Sequence, residues 1–332
     1  MKYLRIMRKL LRGRAIVNVK GAFDRQCKAF HSAHLLVRGY YVVTLYLLAT
    51  QLDRWNKWLT LEEIHPLWPV AWVELTGIPA AVHIIMTVAL VTATLCMLFP
   101  EKRIFRISLF IGLLEYTAFS YSFGYIGHSW HGWLAFGFFF IFLPDGKREQ
   151  LEGSITSRQI YLSTFWAAQA LVMGFYSMSG FWKFIAGVYQ FLAGEVNVFS
   201  QDALARQIAN QLLRTESTSL FGNFFIENPL LGLPLNLGAL YLEIFAFVAV
   251  FRFSLHRFWG VSLILFHLVT YLIMEVSFHI NILLLGLFFV YSPFVPPNNS
   301  WRVVLHNLPL IGWVLESLSR LFDNKVKRAP VK

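Results

Sequence analysis

Residues 160–187, IYLSTFWAAQALVMGFYSMSGFWKFIAG, form an apolar run that carries a single charge, Lys183. An apolar stretch of about 20 residues or more is long enough to cross the hydrocarbon core of a bilayer as a helix. An ammonium at that depth costs roughly 3 kcal/mol on insertion scales, so it should be paired, hydrated or deprotonated. Lys183 is therefore a candidate functional residue. The alternatives are that it snorkels to the nearby interface or makes a structural ion pair.

Working outward, further apolar windows lie at 33–51, 77–99, 104–124, 130–144, 235–251, 258–275 and 278–295. With 160–187 they predict an all-α, polytopic membrane helix bundle of about eight transmembrane helices. The fourth, sixth, seventh and eighth windows are short for spanning, and Ser277 leaves little room for a turn between the last two. The composition agrees: the chain is 57% hydrophobic and 14% charged. Such a balance belongs to an integral membrane protein.

Basic residues gather on the cytoplasmic side of short loops. Nine precede the first span, and the groups at Lys102, Arg103 and Arg106, at Lys147, Arg148 and Arg158, at Arg252 and Arg257, and after the last span all fall on one side of an eight-span topology. Only Arg54, Lys57, Arg206 and Arg214 fall on the other side, while Arg38 and Lys183 lie within spans. Both termini are thus expected in the cytoplasm. The predicted organisation is a basic amphipathic segment over 1–32, a transmembrane domain over 33–297 and a basic tail over 298–332. The expected membrane is a bacterial inner membrane, or the endoplasmic reticulum in a eukaryote. The net charge of +11 follows the spans, so membrane lipid rather than nucleic acid is the expected acidic neighbour.

Two outer segments are long. Residues 52–76 mix Trp55, Trp58, Trp68 and Trp72 with acids, as chain in the head-group zone does. Residues 188–234 hold an amphipathic helix expected to start at Ser200 as N-cap and run through Arg214, with Leu204, Ile208 and Leu212 on one face. Each is a candidate lid or substrate entrance, but an interfacial anchor is the expected role of each.

In this topology the unusual polar residues converge toward the outer leaflet. Lys183 lies in the outer third of its span, His128 and His131 open the fourth, Glu243 lies in the outer half of the sixth, and Glu275 and His279 flank the last outer turn. Glu115 and His267 lie near mid-membrane. Together they predict a polar chamber that opens outward. A lysine desolvated by Phe181, Trp182 and Phe184 could serve as a general base, whereas a carboxylate from Glu243 or Glu115 would hold it as an ammonium. His128 and His131 share a helix face, yet no third ligand has metal-site spacing. A bis-histidine haem through His83 or His267 is ranked below proton chemistry, so no metal or haem is favoured. Two cysteines without a C-x-x-C pair exclude dithiol redox chemistry.

Several short patterns occur in a fixed order: Val37-Arg38-Gly39, His128-Ser129-Trp130 leading to Phe142-Leu143-Pro144, Tyr176 followed by Gly180 and Lys183, Glu243 opening a span, and Phe266-His267 before a run ending at Ser292-Pro293. In these the chain resembles the HTTM (horizontally transferred transmembrane) domain, the membrane part of vitamin K-dependent gamma-glutamyl carboxylase and of many bacterial proteins. The resemblance covers 33–297. It implies that Lys183 is the base that deprotonates a hydroquinone and that His128 is its catalytic partner. Tyr176, His131, Glu243, His267 and Glu115 would then bind the ligand. It also implies a quinone or hydroquinone as the cofactor. A full carboxylase carries a large lumenal part, whereas about 37 residues follow Val295 here, so glutamate carboxylation is not expected. Three roles remain: an enzyme acting on a quinol- or lipid-like ligand or a small peptide, a non-catalytic binding or maturation subunit whose protein partner is unknown, and, ranked last, a proton-coupled transporter.

Overall fold

The computed structural model describes residues 19–124 and 127–317, and every regular element among them is helical. In chain order the principal helices are α1 (Val19–Ala49), α2 (Leu52–Leu59), α3 (Ile78–Leu98), α4 (Arg103–Tyr121), α5 (His131–Phe140), α6 (Ile155–Leu192), α7 (Ala203–Thr215), α8 (Gly222–Glu227), α9 (Pro229–Ile244), α10 (Ala246–Val250), α11 (His256–Met274), α12 (His279–Leu285) and α13 (Trp301–Asn307). Among the described residues, five helical stretches are long and apolar enough to cross a membrane: Asp24–Ala49, Ile78–Leu98, Arg103–Tyr121, Ile155–Leu192 and Phe253–Met274. By length and composition these helices mark a membrane protein of helical build.

The other three predicted spans take different forms. α5 has 10 residues and so rises only about 15 Å, half a hydrocarbon core. The sixth window is broken at Phe245 into α9 and the short α10. The eighth is the short α12 continued by a π-helical turn, Gly286–Val290. Between α11 and α12 the left-handed Glu275 (φ 55°) ends one helix, which supplies the turn that Ser277 seemed to deny. α1 begins well before the predicted start of the first span, because a hydropathy window marks the lipid-crossing part of a helix and not its ends. Most of the predicted amphipathic segment, residues 1–18, and the last part of the basic tail, 318–332, lie outside the described residues.

The chain divides into two compact units, with the boundary inside α6. The first contains the chain up to Val172 together with His279–Leu287. Here α3 packs against α1 and α4. Ala81, Val82, Met86, Ala89 and Ala93 are buried along one side of α3, while the equally apolar Ile84, Val88 and Val91 are exposed at i, i+4, i+7 spacing. A helix that is apolar on both its packed and its open side is built for lipid. Gly112 permits the close approach of α4, since a Cβ there would lie 3.3 Å from Thr92 Oγ1 and 3.5 Å from Ala89 Cα. α5 is tied to α1 by polar bonds in an otherwise dry core. Tyr40 donates its hydroxyl to the Trp133 carbonyl at 2.9 Å, and the Trp133 indole donates to Thr44 Oγ1 at 2.7 Å.

The second unit contains Met173–Phe278 and the chain from Phe288. Leu204, Ile208 and Leu212 do share one face of α7, as their spacing predicts, but that face is buried against Ile273, with Phe225, Val269 and Met274 around it. It is covered by protein, so the expectation of an interfacial anchor is corrected. The N-cap is Asp202 rather than Ser200, whose hydroxyl is spent on the backbone of Asn197. His256 is a satisfied core histidine: Nε2 donates to the Val250 carbonyl at 2.9 Å, and Nδ1 shares a hydrogen bond with the Ser292 hydroxyl at 2.8 Å.

Candidate functional site: an ion pair and a tyrosine–histidine pair beside a broken helix

Ser177, Gly180 and Lys183 follow one another at three-residue spacing on α6 and so share a face. That face meets the end of α9. At Gly180 there is no room for a side chain, because a Cβ would lie 2.6 Å from both Glu243 Cβ and the Ile244 nitrogen. One turn earlier, the Ser177 hydroxyl donates to the carbonyls of Glu243 (3.1 Å) and Ile244 (2.9 Å) and accepts from the Phe247 amide (2.8 Å). The break at Phe245 exposes backbone groups that a continuous helix would satisfy internally. Ser177 takes up part of that deficit, as the bilayer interior requires.

One turn beyond Gly180, the Lys183 amine lies 2.6 and 2.7 Å from the two carboxylate oxygens of Glu243. A carboxylate only accepts hydrogen bonds, so the amine is the donor in both short contacts. The partners differ in setting: the lysine side chain is 49% exposed and the glutamate 6%.

On the same face of α6, the Tyr176 hydroxyl meets His267 Nε2 of α11 at 2.7 Å. His267 is buried, with the Phe278 ring 4.6 Å and the Phe266 ring 5.1 Å from its own. Its Nδ1 is buried and has no partner among the described residues. Whichever tautomer holds, one polar ring atom is left open, and an orphaned polar group of this kind requires an explanation. The charge of Lys183 acts on His267 and that of Glu243 on Tyr176, so the four residues are one electrostatic group within the second unit.

No family model, curated protein or solved structure matches the chain.

The remaining predicted site residues belong to the first unit. His128 and His131 bracket the start of α5 with their Nδ1 atoms 3.4 Å apart and their rings edge to face. At most one proton bridges two such nitrogens, so the pair engages itself. Tyr121 lies edge-on to His131. Glu115 is half-buried on α4 without an ion-pair or hydrogen-bond partner among the described residues, and it is Glu243 that takes the lysine. His83 lies edge-on to Trp55. No group of three potential metal-binding side chains occurs among the described residues. Sequence reading missed Ser177, whose signal was available: a hydroxyl one turn before Gly180 on the face already marked by Tyr176 and Lys183.

Proposed function

We propose that the chain is an HTTM-like membrane protein whose second unit binds the polar head of an amphiphilic, quinol- or lipid-like ligand at Lys183, Glu243, Tyr176 and His267. The observation that carries this reading is the coexistence of a half-exposed ammonium, anchored by a buried carboxylate, with a buried histidine that has an open ring nitrogen. The ammonium attracts a ligand oxygen with partial or full negative charge, and the imidazole offers it a hydrogen-bond partner. Held by Glu243, Lys183 acts as an electrostatic anchor rather than as the free-amine base of the carboxylase resemblance. Binding is therefore the first role. The proposal keeps both termini in the cytoplasm, on the strength of the charge bias.

A second reading, proton transfer on the bound ligand, is favoured by the direct contact of Tyr176 with His267. A phenol and an imidazole in hydrogen-bond contact can relay a proton between a ligand hydroxyl and the protein.

The test is to purify the full chain, extract and identify co-purifying quinones and lipids, and repeat with Lys183→Ala, Lys183→Arg and Tyr176→Phe. An anchoring role predicts loss of the ligand in Lys183→Ala and partial retention in Lys183→Arg, because the charge survives while the geometry changes. Undiminished ligand in Lys183→Ala would sink the reading. For the relay, ionisation of an added hydroquinone, followed by its ultraviolet absorbance, should be lost in Tyr176→Phe while binding persists.

A further inference from the structure

The first unit holds a second polar site, unrelated to the one above. Between the middle of α1, the turn before α4 and the chain after α5 lies a cavity of about 20 Å³. That is room for one or two water-sized atoms. His34, Arg38, Glu101, Arg106 and Tyr161 line it, with Pro100, Leu143 and Pro144 among its apolar walls.

Arg106 is 3% exposed. Its guanidinium donates to the Pro100 carbonyl (2.9 Å), the Leu143 carbonyl (2.6 Å) and Asp145 Oδ1 (2.7 Å). Its Nε is shut from solvent and has no partner among the described residues. The guanidinium lines the cavity, and its one ion-pair partner among the described residues, Asp145, is itself more than half exposed, so Arg106 still presents positive charge to an anion at the mouth. At the same cavity Arg38 is exposed and has neither an ion-pair nor a hydrogen-bond partner among the described residues. It is close enough to act electrostatically on both His34 and Tyr161. Arg38 is also one of only two basic residues that the charge pattern places inside a span.

We infer that this cavity is a phosphate site, in which Arg38 at the mouth and Arg106 within hold the phosphodiester of an anionic phospholipid whose acyl chains lie along α1. Two features favour a lipid over free phosphate. The space admits an oxygen or two and not a whole phosphate, so the ligand sits at the mouth, where it stays attached to an apolar remainder. Glu101 on the lining opposes a dianion but tolerates the single charge of a phosphodiester. Lys102, Arg103, Lys147 and Arg148, next in sequence to the lining residues Glu101 and Gly146, provide the diffuse attraction that any basic loop offers an anionic leaflet. The defined site adds geometry that only guanidinium groups provide.

The experiment is native mass spectrometry of the delipidated full chain in detergent, titrated separately with phosphatidylglycerol and with inorganic phosphate. Arg38→Gln, Arg38→Lys and the control Lys102→Gln are compared with the parent. One phosphatidylglycerol per chain should be retained, about tenfold less in Arg38→Gln and partly restored in Arg38→Lys, with Lys102→Gln close to the parent. Equal retention in Arg38→Gln and the parent overturns the site. So does an equal loss in Lys102→Gln, which would leave only a diffuse field. Displacement of the lipid by millimolar inorganic phosphate overturns the lipid assignment. Arg38 is exposed, so the variant should fold, and an unchanged melting temperature in lipid-free detergent checks this.

Discussion

Both carboxylate oxygens of Glu243 rest on the amine of Lys183, and the glutamate is buried in protein while about half of the lysine side chain is left uncovered by it. The asymmetry makes the pair directional. Removing the lysine strands a charge in a dry place, whereas removing the glutamate leaves an amine that can hydrate.

Lys183→Met should therefore destabilise the protein more than Glu243→Gln. The first change is expected to cost about 1–3 kcal/mol, the penalty of an unsatisfied buried group. The double variant should recover most of that loss, because the stranded carboxylate is then gone. Thermal unfolding of the four proteins in one detergent measures the coupling, and strict additivity would contradict the pairing.

Gly180→Ala should separate α6 from the end of α9, since the new Cβ would lie 2.6 Å from two atoms of Glu243 and Ile244. Overpacking of this kind costs about 1–3 kcal/mol. Gly174→Ala is the control on the same helix, because there the nearest atom is Phe247 Cδ2 at 3.9 Å. Helix propensity should make that change neutral or stabilising by up to about 1 kcal/mol.

In the first unit, Thr44→Val removes the acceptor of the Trp133 indole without changing the volume much. Leaving that buried N–H unpaired should lower stability by about 1–3 kcal/mol. Thr44→Ser should keep the bond and most of the stability, which chemical denaturation can compare directly.

The exposed Asp202–Arg206 pair on α7, at 2.6 Å, gives a pH signature. The hydrogen bond from Arg206 holds the Asp202 carboxyl below the usual carboxylate range. A depressed value means that the pair's contribution is present above the ordinary aspartate range and is lost as pH falls through the lowered value. Because the pair is solvated, the effect on overall stability should be small. Its midpoint by NMR should move up toward the ordinary value in Arg206→Gln.

Much of this was legible in the residues themselves. Lys183 stood out because a charge in an apolar run is costly wherever the run folds, and Glu243, Tyr176 and His267 stood out for similar reasons. The break at Phe245 was not legible, since Ile244 to Phe251 are apolar without interruption and contain no proline or glycine to mark it. Nor was the burial of Arg106, which reads as one more loop cation until its three acceptors, two of them backbone carbonyls, are assembled around it. The covered face of α7 was equally silent, because an amphipathic helix has the same pattern whether lipid or Ile273 lies beneath it.

The sequence by itself determined that the chain is helical and lives in a membrane, because hydropathy and helix length are sums over neighbours and need no partner. It also determined which few polar residues must find a purpose. Only the tertiary structure decided that Lys183 takes Glu243 rather than Glu115, that Ser177 mends the broken helix, and that Tyr176 meets His267. Those choices depend on helix register and on how closely two backbones approach at Gly180, and such distances are set by packing between segments far apart in the chain.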